Sequence, residues 1–295
     1  MARVVVTRSL PFAALDRLRA VHDVVEVGEW RDALGDAEGL LCLLTERVDA
    51  EVLDAAPKLR VISNYAVGAD NIDVAEARRR GIAVGVTPGV LTDATADLTI
   101  ALMLSAARRL QEAARDARDG RWTTWEPAGW LGLELRGATI AVVGFGRIGK
   151  AVAERARAFG MEVLRVGRDD GWEVAARADV VSLHVPLTPE TRGMVGAQQL
   201  SAMKPGAILV NTARGALVDT DALVDWLREG RGSAALDVTD PEPLPAGHPL
   251  YDLPNALVVP HIGSATHTAR ARMAEAAVDN LLAGLEGRPL PNPAK

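Results

Sequence analysis

Arg214, Glu242 and His261 lie in three separate segments: Asn211-Thr212-Ala213-Arg214-Gly215, Asp237-Val238-Thr239-Asp240-Pro241-Glu242-Pro243 and Pro260-His261-Ile262-Gly263-Ser264. Hydride addition to the carbonyl of a 2-keto acid needs a proton donor for the forming alkoxide and a cation for the carboxylate. An imidazole and a guanidinium are such groups, and a carboxylate beside the imidazole favours its charged form. Each segment follows a short apolar run, and loops after parallel strands form the ligand face of open α/β sheets. A guanidinium directly after a buried strand is costly without an anionic partner, which marks Arg214 as an anion site. Singly, each residue has an ordinary structural reading, and His22, His248 and His267 occur without any motif. Their joint presence is what points to chemistry.

A hydride carrier is legible between Thr139 and Lys150, Thr-Ile-Ala-Val-Val-Gly-Phe-Gly-Arg-Ile-Gly-Lys. Here an apolar run stops at Gly144, and Gly146 and Gly149 follow at the spacing of a dinucleotide-binding turn. Gly144 allows the tight strand-to-helix turn, Gly146 lets backbone approach a pyrophosphate, and Gly149 lets the helix pack close to the strand. The N–H groups at that helix start favour phosphate without any basic side chain. At the end of the next strand, where an acidic residue usually receives the adenosine ribose, stand Gly167 and Arg168. Arg168 can pair bidentately with a 2′-phosphate, so NADP(H) is favoured over NAD(H). Asp169 and Asp170 are the carboxylates that could reverse that preference.

These residues require a scaffold of parallel strands. The first part of the chain alternates strand-like runs over 4–6, 24–27, 40–44, 61–63 and 82–86 with helical patterns near 12–20, 50–55 and 74–80. A single long amphipathic helix is predicted over 93–119, followed by an irregular segment, 121–136, that holds Trp122, Trp125 and Trp130. Beyond the glycine turn, strands are predicted over 162–166, 180–184, 207–211, 234–238 and 257–259, with helices near 198–203, 221–229 and 266–285. The short interval between 166 and 180 leaves room for only a turn or two of helix. The expected fold is α/β, with two doubly wound parallel-sheet domains. A Rossmann dinucleotide-binding domain over 92–266 is inserted in a flavodoxin-like substrate domain formed by 1–91 and 267–295.

Composition limits the alternatives. The 295 residues suit two domains, and 48% hydrophobic with 24% charged residues is ordinary for a globular protein. A net charge of -6 argues against a nucleic-acid or membrane-surface partner, which would need clustered cations. The one tight basic run, Arg78 to Arg80, closes a predicted helix, where cations complement the dipole. A single cysteine, Cys42, excludes an intrachain disulfide and fits a reducing, cytoplasmic setting. No apolar run is long enough to span a bilayer, no signal peptide is evident, and no His/Cys/Asp spacing suggests a metal.

The motifs together resemble those of the D-isomer-specific 2-hydroxyacid dehydrogenase family, closest to its glyoxylate/hydroxypyruvate reductases. The likeness rests on Val67-Gly68-Ala69-Asp70, Thr87-Pro88-Gly89-Val90-Leu91-Thr92, the glycine turn, His184-Val185-Pro186-Leu187-Thr188, the Arg214 and Glu242 segments, and Pro260 to Thr266. It implies that Arg214 binds substrate carboxylate and carbonyl oxygen, that His261 is the acid/base, and that Glu242 holds His261 in its charged form. It also implies a pocket lined by Leu44 and the backbone N–H groups of Val67 and Gly68. Trp125 would be inserted into a partner subunit, giving a homodimer. Implied cofactor contacts come from Gly144, Phe145, Gly146, Arg147, Ile148, Gly149, Arg168, Thr191, Thr212, Asp237, His261 and Gly263, while His184 is a cofactor-loop residue without a chemical role. The expected reaction is reduction of glyoxylate or hydroxypyruvate by NADPH to the D-2-hydroxy acid. Rival readings are a dinucleotide-sensing, corepressor-like binding protein, expected to carry docking tails, or a dehydrogenase of another 2-hydroxy acid such as 3-phosphoglycerate.

Overall fold

The computed structural model describes residues 1–10 and 13–294, so the predicted helix start at Phe12 lies outside the described residues. The chain divides into two compact units, Met1–Leu91 with Ala265–Lys295, and Thr92–Ser264.

The first unit begins β1 (Arg3–Val6), α1 (Ala14–Arg19), β2 (Asp23–Glu26), β3 (Gly39–Cys42), α2 (Ala50–Asp54), β4 (Val61–Asn64), α3 (Val74–Arg79) and β5 (Ala83–Gly85). Its strands are all parallel in the order β2-β1-β3-β4-β5, the flavodoxin-like order. Every residue of β3 and β4 is buried, which is why these strands read as continuous apolar runs rather than as alternations. Asp49 and Asp73 cap the helices that follow by accepting the N–H groups of Val52 (3.3 Å) and Glu76 (2.9 Å). The basic run closes α3: Arg79 and Arg80 pair with Glu76, and Arg78 donates to the Ala294 carbonyl.

The second unit holds α4 (Thr92–Ala107), α5 (Leu110–Arg118), β6 (Thr139–Val143), α6 (Arg147–Ala158), β7 (Glu162–Val166), α7 (Trp172–Ala176), β8 (Val180–Leu183), α8 (Ala197–Ala202), β9 (Ala207–Asn211), α9 (Thr220–Arg228), β10 (Gly232–Leu236) and β11 (Ala256–Val258). Six parallel strands run β11-β10-β9-β8-β6-β7. One face packs Leu183, Leu200, Leu209 and Trp226, the other Met103, Ile140 and Val152. The chain leaves β6 toward β7 on one side and returns to β8 on the other, which places a switch point beside the glycine turn. Only the five-residue α7 bridges β7 and β8, as the short interval requires. Finally α10 (His267–Leu285), capped by Thr266 on the Ala269 N–H at 3.1 Å, returns to the first unit.

The predicted single helix over 93–119 is corrected to two. In a continuous helix the Ala107 carbonyl would accept from residue 111, but Leu133 N–H takes it at 2.7 Å. Arg109 then turns into the left-handed region at φ 52 and starts α5 in a new direction. The apolar stripe continues through the break, so periodicity could not show it. Among the described residues no helix is long and apolar enough to cross a membrane.

Candidate active site

The dinucleotide turn is built as its spacing requires. Gly144 has φ +91 and sits against the His184 backbone, where a Cβ would lie 2.7 Å from the carbonyl carbon. A Cβ on Gly149 would lie 2.1 Å from the Gly144 carbonyl oxygen, so α6 can approach the turn only with glycine there. Gly146 differs: a Cβ would meet nothing of the protein within 4 Å. Packing therefore gives no reason for glycine at 146, whereas close approach of a phosphate does. Gly146 is also the N-cap of α6, with no side-chain cap and no acidic residue in the first turn, so the helix dipole faces an anion site unopposed. A pyrophosphate fits this cradle. The Arg165 guanidinium lies 5.2 Å above the Phe145 ring, a contact that spacing did not reveal.

After β7 the loop bends back on itself. Asp170 Oδ2 accepts the Gly167 N–H at 2.7 Å, which commits that carboxylate to its own turn, while Arg168 is exposed. Glu190 is held below the usual carboxylate range, first by the Thr188 hydroxyl and then by its own backbone N–H, with a weak contribution from Arg168. Thr191 closes the second of these loops, accepting from Thr188 N–H at 2.8 Å and donating to the Pro186 carbonyl at 2.7 Å. His184 Nε2 shares a hydrogen bond with Ser182 Oγ at 2.8 Å. Burial pushes this imidazole down to about 4, so it is neutral at pH 7.

The loops after β9, β10 and β11 are tied together. Asn211 clamps the first, its amide donating to the Arg214 carbonyl at 2.8 Å and accepting from Ala213 N–H at 3.0 Å. Gly215 touches the second loop so closely that a Cβ would fall 1.9 Å from the Thr239 carbonyl carbon. Arg214, half-buried, begins at this contact, with Nη1 donating to the Ala213 carbonyl at 2.8 Å. Two threonines of α4 reach the first and third of these loops: Thr99 Oγ1 meets Thr212 Oγ1 at 2.9 Å, and Thr95 Oγ1 donates to the Gly263 carbonyl at 3.2 Å.

His261 is the most constrained residue of the three. Its φ of 51 lies in the left-handed region that non-glycine residues seldom adopt. Asp237 enforces that conformation, because its carbonyl accepts the His261 N–H at 2.9 Å and its carboxylate oxygens accept those of Ile262 (2.6 Å) and Gly263 (2.8 Å). Asp237 is 1% exposed, and this burial raises its carboxyl above the usual range even though two N–H donors oppose the shift. The ring meets Glu242, with Nδ1 2.5 Å from Oε1. Strained backbone held by several bonds is characteristic of functional sites.

The loops of the first unit are equally organised. Leu44 sits in a turn closed by the Glu46 N–H on the Leu43 carbonyl at 3.1 Å. Among the described residues the backbone N–H groups of Val67 and Gly68 have no acceptor, and Val67 is exposed. Trp125 is 79% exposed, and Leu110, Trp122 and Leu131 on the same 110–131 segment are also exposed. Trp130 instead donates to Asp116 at 2.9 Å. Periodicity and motif reading missed Thr95, Thr99 and the bracing role of Asp237, because each is defined by a contact between distant loops.

Residues 100–263 match the family described as D-isomer specific 2-hydroxyacid dehydrogenase, NAD binding domain. A glyoxylate reductase of Thermofilum pendens is 46% identical over 311 residues, which cover 97% of this chain and 92% of that protein. A solved Thermus thermophilus structure superposes with a TM-score of 0.94 at 55% identity, covering 99% of this chain and all of that one. The NADPH-dependent glyoxylate/hydroxypyruvate reductase of Sinorhizobium meliloti, solved with NADP and malonate, gives a TM-score of 0.90 at 33% identity, covering 99% and 96%. With the glycine turn and the three tied loops, these likenesses show that the chain belongs to the D-isomer-specific 2-hydroxyacid dehydrogenases.

Proposed function

We propose that the chain is an NADPH-preferring reductase of small 2-keto acids, glyoxylate and hydroxypyruvate first, which yields the D-2-hydroxy acid. The observation that carries this reading is His261: a histidine in left-handed backbone, braced by Asp237 and with Nδ1 on Glu242 at 2.5 Å. The names of the relatives, glyoxylate reductases among them, supply the substrate class.

A nicotinamide dinucleotide held at the glycine turn of Gly144, Gly146 and Gly149 would supply the hydride for C2. Arg214 holds the substrate carboxylate and carbonyl oxygen, with the Val67 and Gly68 N–H groups as further donors and Leu44 as the apolar wall. Because Glu242 occupies Nδ1, His261 delivers its proton from Nε2 to the carbonyl oxygen as negative charge develops there. The glycine turn, Ile148, Thr191, Thr212, Asp237 and Gly263 form or support the dinucleotide groove, and Arg147 and Arg168 are its cations. The exposed tryptophans and leucines of 110–131 suit a homodimer in which Trp125 enters the partner. A cytoplasmic setting belongs to the same reading, in keeping with a buried Cys42 whose thiol burial pushes up and leaves unreactive.

A carboxylate requirement tests the substrate class. With NADPH, glyoxylate is expected to turn over and glycolaldehyde, which lacks the carboxylate, to react poorly; equal rates would contradict the reading. Glu242→Ala removes the oxygen that holds Nδ1 and orients the ring, so kcat for glyoxylate reduction should fall by roughly 10- to 100-fold with KM for NADPH unchanged. A wild-type kcat would take Glu242 out of this role. Arg168→Ala should raise KM for NADPH roughly tenfold and leave that for NADH unchanged, since only the former carries the 2′-phosphate. Equal effects on both cofactors would remove Arg168 from the choice between them.

A further inference from the structure

Four polar residues of the first unit tie three of its strand-end loops together by hydrogen bonds. Thr7, just after β1, donates to Glu46 Oε2 at 2.9 Å, and the same oxygen accepts the Leu43 N–H. Asn71 donates to the carbonyls of Leu43 (3.1 Å) and Glu46 (2.9 Å), closing the turn that carries Leu44 from its other side. Asn64, fully buried at the end of β4, donates to Asn71 Oδ1 and to the Gly68 carbonyl, both at 2.8 Å. The rest of the 65–68 segment is pinned as well. Tyr65 N–H donates to the Cys42 carbonyl at 2.8 Å, its hydroxyl donates to the Arg270 carbonyl at 2.6 Å, and the Ala66 carbonyl accepts from Thr87 N–H at 2.8 Å.

Every one of these bonds uses a group other than the N–H of Val67 or of Gly68, so the loop is rigid while those two donors stay available. We infer that Thr7, Glu46, Asn71 and Asn64 are positioning residues that present the Val67 and Gly68 N–H groups and the Leu44 side chain to the carboxylate end of the substrate. This deepens the keto-acid reading above and rests on it. Val67 is exposed and Gly68 partly so, which leaves both N–H groups open to a ligand between the network's fixed points.

The chemistry of each link makes the inference testable. Glu46 acts only through acceptance by one oxygen, which glutamine also provides. Asn71 acts through two donated bonds, which aspartate cannot make and which it would replace by a carboxylate facing two carbonyls. With purified full-length protein, Glu46→Ala is expected to raise KM for glyoxylate roughly tenfold and Asn71→Asp at least as much, while Glu46→Gln stays within about twofold of wild type. NADPH affinity should be unchanged throughout, because the dinucleotide turn belongs to the other unit. Oxalate, a dicarboxylate probe that needs no turnover, should lose inhibition in parallel with the KM change. Should Asn71→Asp fail to fold, the two Glu46 variants decide alone. Unchanged KM in Glu46→Ala, or equal damage in Glu46→Ala and Glu46→Gln, would overturn the inference while leaving the reductase reading intact. A wild-type protein that reduces no 2-keto acid would instead overturn that reading, and this inference with it.

Discussion

Replacing His261 by asparagine is expected to lower kcat for glyoxylate reduction by about 10²- to 10⁴-fold, the usual contribution of a positioned proton donor. Asparagine is the informative choice because it tolerates left-handed backbone, so the φ of 51 and the three bonds from Asp237 can persist. The loss then reports the imidazole rather than a collapsed loop. NADPH titration by nucleotide fluorescence should show near wild-type affinity, since the glycine turn is untouched. A kcat within tenfold of wild type would mean that the proton comes from elsewhere. His184 would be a poor substitute, because burial keeps it neutral down to about pH 4.

The second large effect is expected at Arg214. Its loop is clamped by Asn211 and its neighbour Gly215 lies against Thr239, so Arg214→Ala should remove the guanidinium without moving the backbone. Loss of a charge-assisted, forked contact to a carboxylate should lower kcat/KM for glyoxylate by roughly 10²- to 10³-fold, with both kcat and KM affected. Arg214→Lys should recover only part of this, because an ammonium keeps the charge but not the planar fork. Preference for glyoxylate over glycolaldehyde should shrink in the alanine variant. Wild-type kinetics in that variant would show that the carboxylate is held by other groups.

Much of this architecture is legible in residue order, for local reasons. The glycine turn combines an apolar strand with glycines whose spacing has a steric cause, and Gly144 and Gly149 prove too crowded for any other residue. The pairing of Glu242 with His261 follows from loops that parallel strands bring to one end of a sheet. What periodicity misses is decided at long range. The helix break after Ala107 depends on Leu133 capturing a carbonyl, and nothing between residues 93 and 119 announces it. Thr95 and Thr99 read as ordinary positions on an apolar helix face, yet they tether the loops at Gly263 and Thr212. Asp237 stands out in the sequence only as a strand-end carboxylate, and that its two oxygens brace the histidine loop emerges only when that loop folds onto it. Asn64, Asn71 and Glu46 become a unit only once three loops converge.

The most direct measurement is product stoichiometry in a closed mixture of purified protein, NADPH and hydroxypyruvate. The proposed function predicts one glycerate formed for each NADPH consumed, of D configuration on chiral analysis. Protein that binds NADPH with ordinary affinity yet consumes none of it with hydroxypyruvate or glyoxylate would contradict the account, and would leave the fold as a dinucleotide-binding protein without this chemistry.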